Sequence, residues 1–172
     1  MSKNLVIYYS RRGQNYVSGN IRELEKGNAE IIAGFTADAA AADIFEVRPV
    51  KEYPEDYMAC TEVAQEELRQ NARPELKEYL DDVSGYDRIF VCGPCWWGTY
   101  PMPVFSLLER LDLEGKKIYP VMTHEGSGLG SCERDLRRVC KGAAIAKGLA
   151  IQGSVAPDSE KAVKKWVSKM IK

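Results

Sequence analysis

The chain has 172 residues, 45% hydrophobic and 28% charged, a balance ordinary for a globular protein and long enough to bury a core without covalent staples. A formal net charge of −1 excludes bulk electrostatic attraction to nucleic acid or to an anionic membrane. Five cysteines, Cys60, Cys92, Cys95, Cys132 and Cys140, are odd in number and irregular in spacing; this excludes a secreted disulfide framework and fits a reducing compartment.

Met1-Ser2-Lys3-Asn4 passes directly into an apolar strand-like run with no leader pattern, so the expected location is the cytoplasm. Residues 5–9, Leu-Val-Ile-Tyr-Tyr, are continuously apolar, as a strand buried on both faces must be. Residues 16–26 show no clean period and read as an irregular excursion. Gly27-Asn28 then predicts a helix start, with Asn28 as cap and Glu30 at the positive end, and residues 29–42 carry helical spacing. A short strand is expected at 44–47, a helix at 57–70, and a further turn or two at 76–80. Strands at 88–93 and 117–123 flank a helix at 103–111 that has Pro103 in its first position. A helix capped by Ser131 ends before Gly142, a fifth strand lies within 144–151, and a last helix begins near Asp158. Strands alternating with helices predict one α/β domain over residues 1–172, a doubly wound three-layer fold around a five-stranded parallel sheet.

Ligands of open parallel sheets bind beyond the carboxyl ends of the strands. Three loops of this chain fall there. After the first strand, Ser10-Arg11-Arg12 and Gly27-Asn28-Ala29 offer a hydroxyl, guanidinium groups and free backbone N–H groups, a set suited to a phosphate. An ordinary strand-to-helix turn with solvated arginines is the plain alternative. After the third strand, Pro94-Cys95-Trp96-Trp97-Gly98-Thr99-Tyr100-Pro101 offers flat aromatic surfaces for a conjugated ring, or a plug for a gap in the core. Neighbouring residues of an extended segment point opposite ways, so one tryptophan is expected on the ligand and the other in the core. After the fourth strand, residues 123–130 place Gly126, Gly128 and Gly130 at alternate positions, which either present backbone donors or simply bend.

Together these loops resemble the flavodoxin family, in particular a branch with a Trp-Trp-Gly loop and a Gly-Ser-Gly-Leu-Gly loop. The resemblance covers nearly the whole chain, including Tyr-Pro-Glu-Asp-Tyr at 53–57. It implies strand order 2-1-3-4-5 and non-covalently bound FMN. Ser10, Arg12, Asn28 and the Ala29 amide would then hold the phosphate. Pro94, Cys95, Trp96, Trp97 and Gly98 would cover the isoalloxazine, and Thr123, His124, Glu125, Gly126 and Ser127 would line its pyrimidine side. The chain departs from the family pattern in one place. The family's continuous Ser-x-Thr-Gly-Asn-Thr is split here by an insertion, and Ala29 lacks the last hydroxyl, a loss that Arg12 is expected to offset.

The function implied is electron carriage between a redox partner protein or small-molecule acceptor and the flavin. An NAD(P)H-dependent FMN or quinone reductase is the near alternative, and an FMN-binding module without redox function a lesser one. The near-neutral net charge fits an acidic carrier only loosely. Cys92-Gly93-Pro94-Cys95 also spells a dithiol active-site motif. Such a motif needs its first cysteine at a helix start, whereas Cys92 here closes a strand, so thiol–disulfide exchange is a remote alternative. Ser127 lacks glycine two residues to either side and makes no hydrolase elbow, and no cysteine, histidine and carboxylate cluster has metal-site spacing.

Overall fold

The computed structural model describes residues 3–172. Strand β1 (Asn4–Tyr8) leads into an antiparallel hairpin, β2 (Gly13–Val17) and β3 (Asn20–Leu24), and then helix α1 (Asn28–Ala40). Strand β4 (Asp43–Glu46), helix α2 (Tyr57–Gln70), strand β5 (Arg88–Pro94) and helix α3 (Met102–Leu108) follow. Strand β6 (Lys117–His124), helix α4 (Cys132–Val139), two short strands β7 (Ala144–Ile145) and β8 (Leu149–Gln152), a 3-10 turn at Gly153–Asp158 and helix α5 (Glu160–Met170) complete the chain.

The main sheet is parallel throughout, in the order β4-β1-β5-β6, with β7 and β8 both on the outer side of β6. β7 pairs with Lys117 and Ile118, and β8 with residues 121–124, so the expected fifth strand is present in two pieces. With that strand counted once and the hairpin set aside, the order is the 2-1-3-4-5 that the sequence implies. The break falls opposite Pro120, which has no N–H to lend a ladder. Gly148 crosses there, where a methyl group would lie 3.0 Å from the Pro120 carbonyl oxygen.

Alternation along the buried strands sorts the core into two layers. Leu5, Ile7, Ile89, Val91, Ile118 and Met122 face one side, against α3 and α4 residues such as Val104, Leu107 and Leu136. Val6, Tyr8, Phe90, Cys92, Tyr119 and Val121 face the other, against Ile32 and Ala33 of α1 and Val163 and Val167 of α5. Both layers are close to fully buried, which is why these strands read as unbroken apolar runs.

Three expectations change. Residues 13–24 form an ordered hairpin, turned by Ser18 and Gly19 at φ 52° and 82°, the positive pair that a two-residue hairpin turn favours. Residues 76–80 form no helix; Leu76 bridges Pro49 instead, and its N–H donates to the Tyr79 hydroxyl at 3.0 Å. Gly27, not Asn28, occupies the N-cap of α1, and the capping oxygen comes from the end of β1: the Glu30 N–H donates to Ser10 Oγ at 3.1 Å. No helix among the described residues is long and apolar enough to cross a membrane.

Candidate functional site

The chain runs outward from β1 to β4 and then crosses back to β5, so the β1 and β5 ends lie at the point where strand order reverses. A cleft of about 440 Å³ opens there, bounded by the loops after β1, β5 and β6, by α2 and by the hairpin. That volume lies within the range of small-molecule and cofactor sites, roughly 300–1,000 Å³.

At one end of the cleft is the start of α1, with Ser10, Asn28 and Ala29 in its wall. Residues separated by the hairpin insertion are thus side by side. Gly27 makes this possible, because a Cβ there would meet Ser10 Oγ at 2.0 Å and the Arg11 carbonyl oxygen at 2.5 Å. The first hydrogen bond of the helix backbone runs from Ile31 N to Gly27 O, so the Asn28 and Ala29 amides precede it and are free to donate. Arg12 lies outside the cleft: its guanidinium pairs with Glu30 in a neighbouring depression. Arg11 takes the place in the wall, held by its donations to the carbonyls of Gln14 and Glu55, both at 2.8 Å.

At the other end stand Pro94, Cys95, Trp96 and Trp97. Trp97 and Gly98, at φ 56° and 89°, form the tip of a tight turn in which the Trp96 N–H donates to Thr99 O at 2.8 Å. The two tryptophans diverge. Trp96 turns inward, edge-on to Tyr53 and Tyr9 with ring centroids 4.9 and 5.3 Å away. Trp97 is half exposed on the rim, and its indole N–H donates to the Thr61 carbonyl of α2 at 2.9 Å. Beneath the turn, the buried Tyr100 hydroxyl reaches the carbonyls of Val91 at 2.8 Å and Val121 at 3.2 Å, joining β5 to β6. Gly93 leaves room for that ring, since a Cβ there would lie 2.9 Å from Tyr100 Cδ1.

Of the third loop, Thr123, His124 and Glu125 line the cleft, while Gly126 and Ser127 are exposed beyond it. The Gly126 N–H donates to His124 Nδ1 at 2.9 Å, which fixes that nitrogen as acceptor and leaves Nε2 as the donor of the neutral ring. Gly130 packs directly on the preceding turn, and the Ser131 N–H donates to Gly98 O at 2.6 Å. A Cβ on Gly130 would lie 2.3 Å from that same oxygen, so the second and third loops are braced backbone to backbone. Gly98 therefore supports the cleft from behind instead of lining it.

The remaining wall includes Tyr57, from the Tyr-Pro-Glu-Asp-Tyr stretch of the resemblance, and Tyr16, from the insertion; its other residues carried no sequence signal. Tyr57, Met58, Cys60, Thr61 and Ala64 come from the first turns of α2, and Asn15 and Tyr16 from the hairpin. Tyr16 stacks on Tyr57 at 6.1 Å, and Gln14 Oε1 accepts the Tyr57 N–H at 2.8 Å, so the hairpin and α2 form one wall. Tyr57 sits at the first position of a helix capped by Asp56.

Burial pushes the Cys92 thiol up to about 12, and its side chain is fully enclosed in the core layer between the sheet and α1. A thiol held that far above neutrality is a poor nucleophile. Cys92-Gly93-Pro94-Cys95 is therefore a strand end whose glycine accommodates Tyr100, not a dithiol site.

A parallel sheet between helical layers, with a cleft at its switch point walled by flat aromatics and a helix start, defines the flavodoxin-like class of α/β folds. Residues 23–170 match the model of the family described as Flavodoxin, and the chain belongs to that family. No curated protein matches the sequence. A protein of Bacteroides uniformis assigned as a flavoprotein is 25% identical over 97% of this chain and 98% of its own, with TM-score 0.73. One of Bacteroides eggerthii, 22% identical over 99% and 98%, superposes with TM-score 0.78. A flavoprotein of Lactobacillus acidophilus, solved in complex with FMN, is 18% identical over 94% and 99%, with TM-score 0.65.

Proposed function

We propose that the chain is an FMN-dependent electron carrier. The observation that carries this is the polarity of the cleft. One end offers a hydroxyl and free helix-start amides, the other offers indole faces, and about 440 Å³ lie between them. This is the donor set and shape of a flavin mononucleotide, with anion at one end and fused rings at the other. The FMN bound by the Lactobacillus acidophilus flavoprotein supports the same cofactor.

Bound FMN would supply reversible one- and two-electron transfer; the chain supplies its seat and surroundings. Ser10 and the Asn28 and Ala29 amides hold the phosphate, with the α1 dipole adding to their attraction. Trp96, wedged against Tyr9 and Tyr53, forms an immobile floor. Trp97, tied to Thr61, screens the ring face from water. His124 presents a proton at Nε2, and Thr123 a buried hydroxyl, where polar ring atoms need partners.

Carriage is favoured over NAD(P)H oxidation by the space available. A nicotinamide must stack on the flavin to hand over hydride, and Trp97 is pinned across one approach to a cleft sized for a single nucleotide. Electrons then leave at the exposed rim, where Trp97, Met58 and Tyr16 form an apolar border suited to a docking protein. The test is anaerobic mixing of FMN-loaded protein with NADH, NADPH, or NADPH plus a flavodoxin reductase. Bleaching of the flavin bands only in the arm that contains both NADPH and the reductase supports carriage. Rapid bleaching by free NADH or NADPH at low concentration reassigns the chain as a reductase.

A further inference from the structure

Glu125 is unusual within the cleft. Its Oε2 accepts the Ser18 N–H at the hairpin tip, at 3.2 Å. Its Oε1 is shut off from solvent and has no hydrogen-bond partner among the described residues. Gly153 lies against it, and a Cβ there would be 2.4 Å from Glu125 Oε1 and 2.6 Å from Asn28 Nδ2. The Glu125 carboxylate and the Asn28 side chain, at the first turn of α1, thus both flank Gly153. A buried carboxylate oxygen without a donor is destabilising, so the site is complete only when a donor arrives.

The donors that FMN carries are few: the ring N–H groups at the far end, and the hydroxyls of the ribityl chain between ring and phosphate. The phosphate itself is an anion and cannot satisfy Oε1. Resting on the assignment of the cleft to FMN, we infer that Glu125 is a specificity-determining residue whose Oε1 accepts a hydrogen bond from a ribityl hydroxyl, while Oε2 ties that contact to the β2–β3 hairpin. The insertion that splits the phosphate loop then has a role, since its tip positions the acceptor that reads the sugar chain. Gly153 keeps the seat open, because any side chain there would push Glu125 and Asn28 apart.

The experiment uses the full chain without flavin, and measures equilibrium binding of FMN, riboflavin and lumiflavin by quenching of flavin fluorescence. Lumiflavin has the same ring with a methyl group in place of the ribityl chain. Glu125→Leu is expected to weaken riboflavin about 10- to 100-fold, the range for a lost hydrogen bond to a charged group, and to change lumiflavin less than about 3-fold. Glu125→Gln, which keeps an acceptor oxygen, is expected to retain most of the preference for riboflavin over lumiflavin. Thermal unfolding by circular dichroism confirms that each variant is folded. Equal loss of riboflavin and lumiflavin, or loss of neither, overturns the role of Glu125 while leaving the flavin cleft intact. A wild-type chain that binds none of the three flavins overturns the cofactor assignment and this inference together.

Discussion

Gly27→Ala is the most direct test of how the split loop is closed. The backbone of Gly27 is ordinary, at φ −66°, so alanine introduces no conformational strain and the whole effect is steric. Its methyl group would lie 2.0 Å from Ser10 Oγ and 2.5 Å from the Arg11 carbonyl oxygen, so β1 and α1 must separate. Overpacking of this kind costs about 1–3 kcal/mol. Separation also breaks the bond from the Glu30 N–H to Ser10, worth about another 1 kcal/mol. At about 2–4 °C per kcal/mol for a chain of this size, the midpoint of thermal unfolding falls by roughly 4–16 °C. FMN affinity falls with it, since the phosphate seat is the part displaced. Gly34→Ala in the same helix is the matched control: no atom lies within 4 Å of its Cβ, and the variant gains about 0.5–1 kcal/mol from helix propensity alone. The double variant Ser10→Ala, Gly27→Ala removes one clash and leaves the backbone one, so it recovers only part of the loss. A Gly27→Ala protein that melts within about 1 °C of wild type and binds FMN unchanged would refute the clamped geometry.

Trp97→Phe removes the indole donor to Thr61, and flavin release measured by stopped-flow displacement is expected to quicken about 2- to 10-fold, with little change in stability. In native protein at neutral pH, a thiol reagent is expected to leave Cys92 unmodified, because burial holds its thiol near 12; peptide mapping that finds Cys92 labelled first would restore a dithiol role. Burial raises the Glu67 carboxyl above its ordinary 4.5, only partly offset by the Tyr53 hydroxyl that donates to it. A raised acid adds stability fully below the unfolded value and loses it as pH climbs through the folded one, so stability should decline above about pH 4.5. Urea titrations of Glu67→Gln are expected to lack that component of the decline; parallel wild-type and variant curves across the range would exclude it.

Where residues are buried on both sides, their pattern survives in the sequence, and β1, β5 and β6 are legible almost to the residue; α2, which buries only Cys60 and Ala64, is legible from its one-sided helical spacing. The hairpin is not, because neither strand buries a continuous face: Asn20 to Glu23 are all exposed, and exposed ribbons have no period to detect. Its signal was local, the Ser18-Gly19 pair between two short extended segments. The same principle explains the exchange of Arg12 for Arg11. Side chains at a strand end alternate, so adjacent arginines point opposite ways, and only the register decides which one meets the cleft. The wall contributed by α2 was hidden because it comes from a helix folded back over the strand ends, which the loops at those ends do not announce.

The divided fifth strand also determines what kind of edge the sheet presents. An uninterrupted outer strand would offer a long ladder of unsatisfied amides and carbonyls, a template on which a second sheet could grow. Here that border is two residues, a glycine crossing and four more, and the opposite border is the four-residue β4. Neither margin offers a foreign strand enough register to hold. The interruption around Gly148 thus sacrifices a few ladder bonds and leaves that border with no long run of unpaired strand.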